Sequence, residues 1–210
     1  MKKLIGAAAV AVLWASPALA QDTGPRDFEI VENADKSGLR AEGRLFWERL
    51  NDPEEDIGIN YELGSALGYG AEIGYDMRVS DNIVVGPYAT YDFSNVEECE
   101  DNLCVASGDY YAFGLHVGFE TGAEGLVYGK IGYGNQTVTL QGPYTDPETN
   151  ETFVFDEEES GGGYNFAFGY EHGFGDVLYG RAELGVSESY DIYGFDFQRG
   201  YIGAALGARF

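Results

Sequence analysis

The chain has 210 residues, with 36 acidic side chains against 12 basic ones and a formal net charge of −24. This balance argues against nucleic acid as a partner, because phosphate binding is driven by Lys and Arg. With 31 Gly, 16 Tyr and 13 Phe, and no amphipathic segment of helix length after the N-terminus, the composition favours an all-β protein of one domain.

The N-terminus predicts export from the cytoplasm. Lys2 and Lys3 precede an apolar run at 4–13 and an Ala-Leu-Ala cleavage pattern at 18–20. Together these features predict a secretory signal peptide over 1–20. No later stretch has the roughly 18 apolar residues of a membrane-spanning helix. If the mature chain is integral to a membrane, it must be a β-barrel, because only helices and closed barrels satisfy every backbone polar group in hydrocarbon.

After a polar lead-in at 21–37, apolar and other side chains alternate with the period of two that predicts β-strands. Short turns and longer acidic loops alternate between these stretches. We therefore predict an eight-stranded antiparallel up-and-down transmembrane barrel over 38–210. Pro87 cannot donate to a ladder, so we expect a bulge or a locally unpaired position there. The predicted strands cover about 39–48, 69–78, 85–93, 110–120, 127–134, 164–171, 178–187 and 197–210; the longer loops include 52–62, 141–163 and 188–196.

Alternation alone does not say which face of the strands points outward. A soluble barrel of the lipocalin type would enclose the apolar face around a pocket lined by Tyr111, Phe113, Phe166 and Phe168. A membrane barrel would turn that face towards lipid. The apolar faces are nearly free of charge, whereas the other faces mix both signs of charge with many glycines. Together with the strict alternation of long and short connections, this favours the membrane barrel.

These features resemble the small eight-stranded outer-membrane barrels of Gram-negative bacteria, the opacity-type, porin-family proteins with an OmpA-like transmembrane architecture. The resemblance covers the mature chain by pattern, and it depends on the repeated strands, the signal peptide and the terminal aromatic residue Phe210. It implies a place in the cell outer membrane, in contact with its lipid and lipopolysaccharide. It also implies that the barrel assembly machinery reads the C-terminal strand that ends at Phe210. We expect a monomer by default.

The polar faces of the predicted strands carry the candidate lumen charges. The interior of an eight-stranded barrel is about filled by side chains, so a wide aqueous pore is not expected. Charges enclosed there should pair, because an unpaired buried charge is costly. We interpret them as a network that holds the barrel shut; the alternative is a thin path that conducts small solutes or ions. The residues are Arg40, Glu42, Arg44, Glu72, Asp76, Arg78, His116, Glu120, Lys130, Glu171, Arg181, Glu183 and Arg209.

Cys99 and Cys104 lie in an acidic segment and are the two cysteines of the chain. In an exported protein they predict a local disulfide that shapes the tip of a loop. A metal site is the alternative interpretation, although two cysteines without a nearby histidine are a weak set of ligands.

The longer loops are rich in acidic residues and would give one rim of the barrel a strongly negative surface. The run Asp156-Glu157-Glu158-Glu159 could bind Ca²⁺ or Mg²⁺. It has no EF-hand spacing, and a solvated run of charges is the other interpretation. Exposed loops can also be adhesive, as the resemblance to opacity-type proteins implies.

Catalysis would need a general base or nucleophile near the lipid-facing rim. The two histidines are His116, which by parity faces the lumen, and His172, at a predicted periplasmic turn. No Ser-His-acid arrangement is recognisable, and no helix follows the glycines at 161–163 to make a phosphate-binding loop. We therefore predict neither an enzyme nor a cofactor. The predicted role is structural, surface-interacting or adhesive; a narrow channel and a lipid A-modifying enzyme are the alternatives.

Overall fold

The computed structural model describes residues 35–54, 59–100, 103–145 and 152–210. The predicted signal peptide and most of the predicted lead-in lie outside these described residues. The described residues form one antiparallel sheet, and no helix among them has the length and hydropathy needed to cross a membrane. The strands are β1 (Gly38–Glu54), β2 (Ile59–Ser80), β3 (Ile83–Phe93), β4 (Glu97–Glu100), β5 (Leu103–Thr121), β6 (Gly125–Thr145), β7 (Thr152–Phe174), β8 (Leu178–Ile192) and β9 (Phe195–Arg209).

The long strands close into a ring. Each pairs with its sequence neighbours, β3 pairs with β5 across the short β4, and β1 pairs with β9. Closure leaves no free sheet edge along the paired part of the ring. The predicted eight-stranded antiparallel barrel is confirmed, and β4, which pairs with β5, is an additional short strand that was not predicted.

The end of the chain closes the ring against its first strand. The amide of Leu39 donates to the carbonyl of Phe210 (3.0 Å), and the amide of Phe210 donates to the carbonyl of Leu39 (2.8 Å). Gly38 has a φ of +120°, and a Cβ at this position would lie 2.3 Å from the Phe210 carbonyl oxygen. The join therefore needs glycine for both conformation and space.

The strands place apolar side chains outside the ring and charged ones inside. Tyr111, Phe113, Phe166 and Phe168 are between 41% and 61% exposed, whereas the charged Arg40 is 0% exposed. The lipocalin-like arrangement, in which those four aromatic residues line an inner pocket, is therefore wrong. Apolar side chains can surround the barrel in this way only where its surroundings are themselves apolar.

Pro87 occupies a locally unpaired position, as its lack of an amide hydrogen predicts. The β2–β3 ladder is interrupted between the pairs Gly74↔Tyr88 and Met77↔Val85, while the β3–β5 ladder continues past Pro87. The proline thus stays within its strand at the cost of a short break on one side.

The strands extend much further at one end of the barrel than predicted. β6 and β7 have 21 and 23 residues and remain paired as far as Thr145 and Thr152. About 10 residues of tilted strand cross the hydrocarbon of a membrane, so roughly half of each strand lies beyond it. We call this the outer end; the opposite, inner end carries the short turns and the C-terminus.

The predicted loops at 141–163 and 188–196 are therefore largely wrong. Most of the first belongs to β6 and β7, and most of the second belongs to β8 and β9. The loop predicted at 52–62 is likewise partly β1 and β2. The misassignment has a physical cause: where water lies around the barrel, strands no longer need an apolar outer face, so the alternation that marks a membrane strand disappears.

Candidate functional site: the lumen and the outer hairpins

The middle of the lumen is organised around Glu72. The guanidinium of Arg40 lies 2.5 Å from its carboxylate and the ammonium of Lys130 lies 2.6 Å from it. Arg44 and Arg181 approach at 3.6 Å and 3.5 Å, and the hydroxyl of Thr90 donates to the same carboxylate at 2.9 Å. These residues come from β1, β2, β3, β6 and β8, so a single carboxylate links most of the ring.

Glu183 forms a second centre, next to the first. It accepts from Lys130 at 2.5 Å, from the hydroxyl of Tyr128 at 2.8 Å and from that of Tyr201 at 2.7 Å. Arg44 lies 3.2 Å away. Lys130 and Arg44 thus lie between the carboxylates of Glu72 and Glu183, so the two centres form one network.

Towards the inner end, Arg209 bridges two further carboxylates. It lies 3.0 Å from Asp76 and 2.7 Å from Glu171. Arg181 contacts Glu171 at 2.8 Å, and the ring of His116 lies 3.1 Å from Asp76. All of these side chains are nearly or completely buried. The last strand is therefore tied to the ring by its side chains as well as by its backbone.

Not every predicted lumen charge lies within the lumen. Arg78 is at the inner rim, where it contacts Glu120 (2.7 Å) and Asp35 (3.0 Å), and a third of its side chain is exposed. Glu42 is inside, where it accepts from the hydroxyl of Tyr179 at 2.9 Å. The interpretation of Arg78 as an enclosed lumen residue is corrected to a rim position, because β2 ends at Ser80, within two residues of it.

Lys36, which precedes β1, enters the inner opening. Its ammonium donates to the carbonyl of Glu124 at 2.8 Å and lies 3.9 Å from Glu171. Burial lowers the pKa of Lys36. Lys36 belongs to the predicted lead-in, and the sequence pattern gives no sign of its part in closing the inner end.

A layer of charges further out was also missed. Arg199 lies 2.5 Å from Glu48 and 3.0 Å from Asp92, and its guanidinium stacks 4.3 Å from the ring of Tyr110. Glu48 and Asp92 lie on the polar faces of the predicted strands 39–48 and 85–93, but neither is among the predicted lumen charges. Arg199 lies beyond the clear alternation of the last strand.

Above this layer the lumen becomes apolar. Side chains from five strands and from the β3–β4 connection converge there, each at most 6% exposed. We call this cluster the apolar plug. Its members are Leu50, Leu63, Val96, Val138, Ile192 and Phe197.

Val96 is held at the apolar plug by a backbone hydrogen bond to β5. The amide of Ser107 donates to the carbonyl of Val96 at 2.8 Å. The next residues form β4, which the disulfide between Cys99 and Cys104 joins to β5. The predicted disulfide is present, and it lies on the hairpin that places Val96.

Two cavities lined by described lumen residues are very small. One beside Arg44 and Glu183 has a volume of about 10 Å³, and one lined by Tyr88, Asp92 and Lys130 has about 0 Å³. A single water needs roughly 10–15 Å³. The first cavity is therefore at the limit for one water molecule, and the second has no room for one.

Comparisons with known proteins identify the fold. No protein-family model matches the chain, and no curated protein matches it in sequence. Solved structures do match. Ail, the attachment invasion locus protein of Yersinia pestis, is 14% identical with a TM-score of 0.51, over 81% of this chain and 99% of Ail. Neisserial surface protein A is 13% identical with a TM-score of 0.51, over 83% of this chain and 98% of its own.

The fold is that of a small outer-membrane β-barrel. Both matched proteins are eight-stranded barrels of this type, so the predicted fold resemblance is confirmed. At these identities the likeness establishes the fold alone. In outer-membrane barrels of this fold the short turns face the periplasm and the longer connections face the exterior; the inner and outer ends described above correspond to these two sides.

The acidic run at 156–159 lies on β7. Successive strand residues point to opposite faces, so Asp156 and Glu158 are separated from Glu157 and Glu159. Asp156 accepts from the side-chain amide of Gln141 at 2.8 Å. Among the described residues, the one cluster of three metal-type ligand atoms comprises Glu97, Cys99 and Cys104, and the disulfide engages both of its sulfurs.

The two histidines lie far from the outer rim. His116 is buried in the lumen, with its ring 5.0 Å from that of Tyr128. His172 is exposed at the inner end, where its Nε2 lies 3.3 Å from the carboxylate of Glu124. Both positions are therefore away from the outer end of the barrel.

Proposed function

We propose that this protein resides in the outer membrane as a closed, non-catalytic barrel whose outer hairpins make contacts at the cell surface. The observation that carries the proposal is the filling of the lumen by two different layers. Buried ion pairs occupy its inner part, and the apolar plug occupies its outer part.

The two layers oppose conduction in different ways. In the inner layer each buried cation described above lies against at least one carboxylate, so a passing ion would have to compete with an existing ion pair. In the outer layer, an apolar constriction excludes water and with it hydrated ions. The small lumen cavities support the same interpretation.

The outer hairpins support a role at the surface. β6 and β7 are about twice as long as a membrane crossing requires. Their outer halves carry exposed acidic side chains, including Glu157 and Glu158. Ail has been solved in complex with the heparin analogue sucrose octasulfate, a polyanion. An acidic rim would repel such a ligand, so we propose that this barrel contacts molecules of the opposite charge.

Several partners proposed from the sequence fit this arrangement. The outward apolar face would contact outer-membrane lipid and lipopolysaccharide. Phe210, 71% exposed at the end of the last strand, would be available to the barrel assembly machinery. Divalent cations would bind at most loosely along residues 156–159, because the carboxylates point to alternate faces. We propose a monomer.

Conductance across planar bilayers tests the closed lumen. Folded protein, verified by the difference in gel migration between unheated and boiled samples, is added to the bilayer beside a general porin as a positive control. The expected record shows no current steps from this protein. Regular steps of constant size would overturn the closed lumen and favour the narrow channel.

The absence of catalysis is tested on lipid A. Cells with and without the expressed protein are compared by mass spectrometry of their lipid A. We expect identical masses, because both histidines lie away from the outer leaflet. A new acylated or deacylated species that disappears in a His172→Ala variant would instead establish a lipid-modifying enzyme.

A further inference from the structure

Among the described residues, the outermost part of β7 is paired with one neighbouring strand, β6. Its ladder with β6 continues to Thr152. Its ladder with β8 ends at the pair Asn165↔Ser187. β8 stays beside β7 a little further, since a Cβ at Gly161 would lie 2.2 Å from the carbonyl oxygen of Tyr190. Beyond this point no described strand pairs with the β8-facing edge of β7.

The turn after β8 marks where that edge becomes free. The amide of Tyr193 donates to the carboxylate of Glu159 at 2.7 Å, and β8 ends at Ile192. Residues 153–158 extend past this contact. On the far side of β6, the ladder with β5 ends at the pair Cys104↔Gln141, so this part of the hairpin projects as a two-stranded ribbon.

The ribbon exposes apolar side chains to water. Phe153 is 52% exposed and Val154 is 81% exposed. Both lie in the outer half of β7, beyond its membrane-spanning part, where water and not lipid surrounds the strand. Unpaired strand edges with apolar side chains attract further strands, and proteins normally protect them. An additional strand would satisfy the backbone groups and cover these side chains.

The charges next to this edge define what can bind there. Asp156, Glu157 and Glu158 are exposed, and the basic Arg49 near the outer rim is already paired with Glu62 at 2.6 Å. A second copy of this acidic chain would be repelled at the edge, as would anionic lipopolysaccharide. A segment that carries lysine or arginine would be attracted.

We propose that the edge of β7 at residues 153–158 accepts an extended, lysine- or arginine-bearing segment of a partner protein as an added strand. Backbone hydrogen bonds would supply the pairing, and alternate basic side chains would meet the carboxylates. This inference rests on the proposed function, because it names the class of partner that the outer hairpins contact.

The test uses the full-length protein in lipid nanodiscs and a labelled ten-residue peptide that alternates lysine with threonine. Binding is followed by fluorescence anisotropy at low and high salt. Two variants remove the same charge from consecutive exposed glutamates: Glu157→Gln/Glu158→Gln on β7, and Glu97→Gln/Glu98→Gln on β4 as the matched control. Gel migration before and after boiling confirms that each variant is folded.

We expect the β7 variant to weaken binding at least tenfold and the β4 variant less than twofold. A peptide N-methylated at every second residue should also bind at least tenfold more weakly, because it cannot complete the ladder. Equal weakening by both variants would overturn the proposal in favour of general charge attraction. Undiminished binding of the N-methylated peptide would exclude an added strand.

Two further outcomes would assign the edge to another occupant. A dimer in the absence of peptide, detected by light scattering, would indicate a second copy. Calcium binding that is lost in the β7 variant, without any peptide binding, would indicate a cation site. Failure of the proposed function remains distinguishable, because current steps in the bilayer would overturn the closed lumen whatever the peptide result.

Discussion

The membrane-spanning and outer parts of the barrel distribute polar and apolar side chains in opposite ways. On β1, Trp47 is 50% exposed on the outside while Glu48 is 1% exposed inside. One step further along, Arg49 points outward with its side chain 55% exposed, and Leu50 is 1% exposed in the apolar plug. Odd-numbered residues still point outward and even-numbered ones inward, but the outer face has become polar and the inner face apolar.

The last strand changes in the same way. Ile202 is 59% exposed on the outside and Arg199 is buried inside, whereas Phe197, two residues before Arg199, is buried in the apolar plug. Next to hydrocarbon, the lumen is where charges can find partners. Next to water, the lumen is where apolar side chains escape solvent. The same ring of strands therefore distributes its side chains as a membrane protein does in its inner part and as a soluble protein does in its outer part.

The largest expected effect comes from removing the charge at the centre of the membrane-spanning part. Glu72→Gln would leave Arg40, Lys130 and their neighbours with an uncompensated buried charge. We expect a loss of about 3–5 kcal/mol in the free energy of unfolding, measured by urea unfolding of the protein in lipid vesicles.

The matched control removes the same charge from an exposed pair. Glu62→Gln breaks the contact with Arg49, whose side chain is 55% exposed while that of Glu62 is 47% exposed. Its cost should be below about 1 kcal/mol. Similar losses for the two variants would contradict the view that the buried network differs from the surface charges.

The second effect concerns the apolar plug. Leu50→Ala should cost about 2–5 kcal/mol, because it leaves a cavity among buried side chains in a water-surrounded part of the barrel. Leu103→Ala, at a site 37% exposed, is the matched control and should cost less than about 1 kcal/mol. If both variants unfold at the same urea concentration, the apolar plug is not a packed core.

The strands are predictable from the sequence where hydrocarbon surrounds them. There the outer face must be apolar, so the alternation from Ile202 to Phe210 and the eight-strand count could both be recognised. At the outer end, water surrounds β7 over residues 152–163. The strand carries charges and glycines there, so its sequence predicts a loop instead of a strand. Parity alone could have extended the lumen to Glu48, but the identity of ion-pair partners depends on the three-dimensional register.

Some members of the site had no local signal. Lys36 precedes the first strand and shows no alternation, although its ammonium reaches Glu124 across the inner opening. Val96 enters the apolar plug from a connection between strands, because β4 folds back onto β5. Contacts of this kind depend on chain segments distant in sequence, and periodicity contains no information about them.

A smaller effect should follow from removing the disulfide. Closing a loop with a sequence separation of 5 stabilises by about 2 kcal/mol at most in the chain-entropy model. In Cys99→Ser/Cys104→Ser, we expect the barrel to remain heat-modifiable while the amide of Ser107, which donates to Val96, exchanges faster with solvent. Dithiothreitol should have this effect on the wild type and none on the double variant. An unchanged exchange rate would show that the hairpin holds Val96 without the disulfide.

The smallest effect tests whether burial or ion pairing dominates at the inner opening. Burial lowers the pKa of Lys36, and the carboxylate of Glu171, 3.9 Å away, opposes this shift. The ammonium should therefore titrate, in an NMR experiment, below the value of 10.5 for an ordinary lysine.

The sign of the stability change follows from this direction. Between the lowered pKa of folded Lys36 and 10.5, the unfolded chain binds more protons than the folded one. In that interval the contribution of Lys36 to the free energy of unfolding therefore increases as the pH rises. Relative to Lys36→Met, which cannot titrate, the wild type should become more stable across that interval. A midpoint at or above 10.5 would show that the attraction of Glu171 outweighs burial, and the inner opening would then belong with the ion-paired lumen.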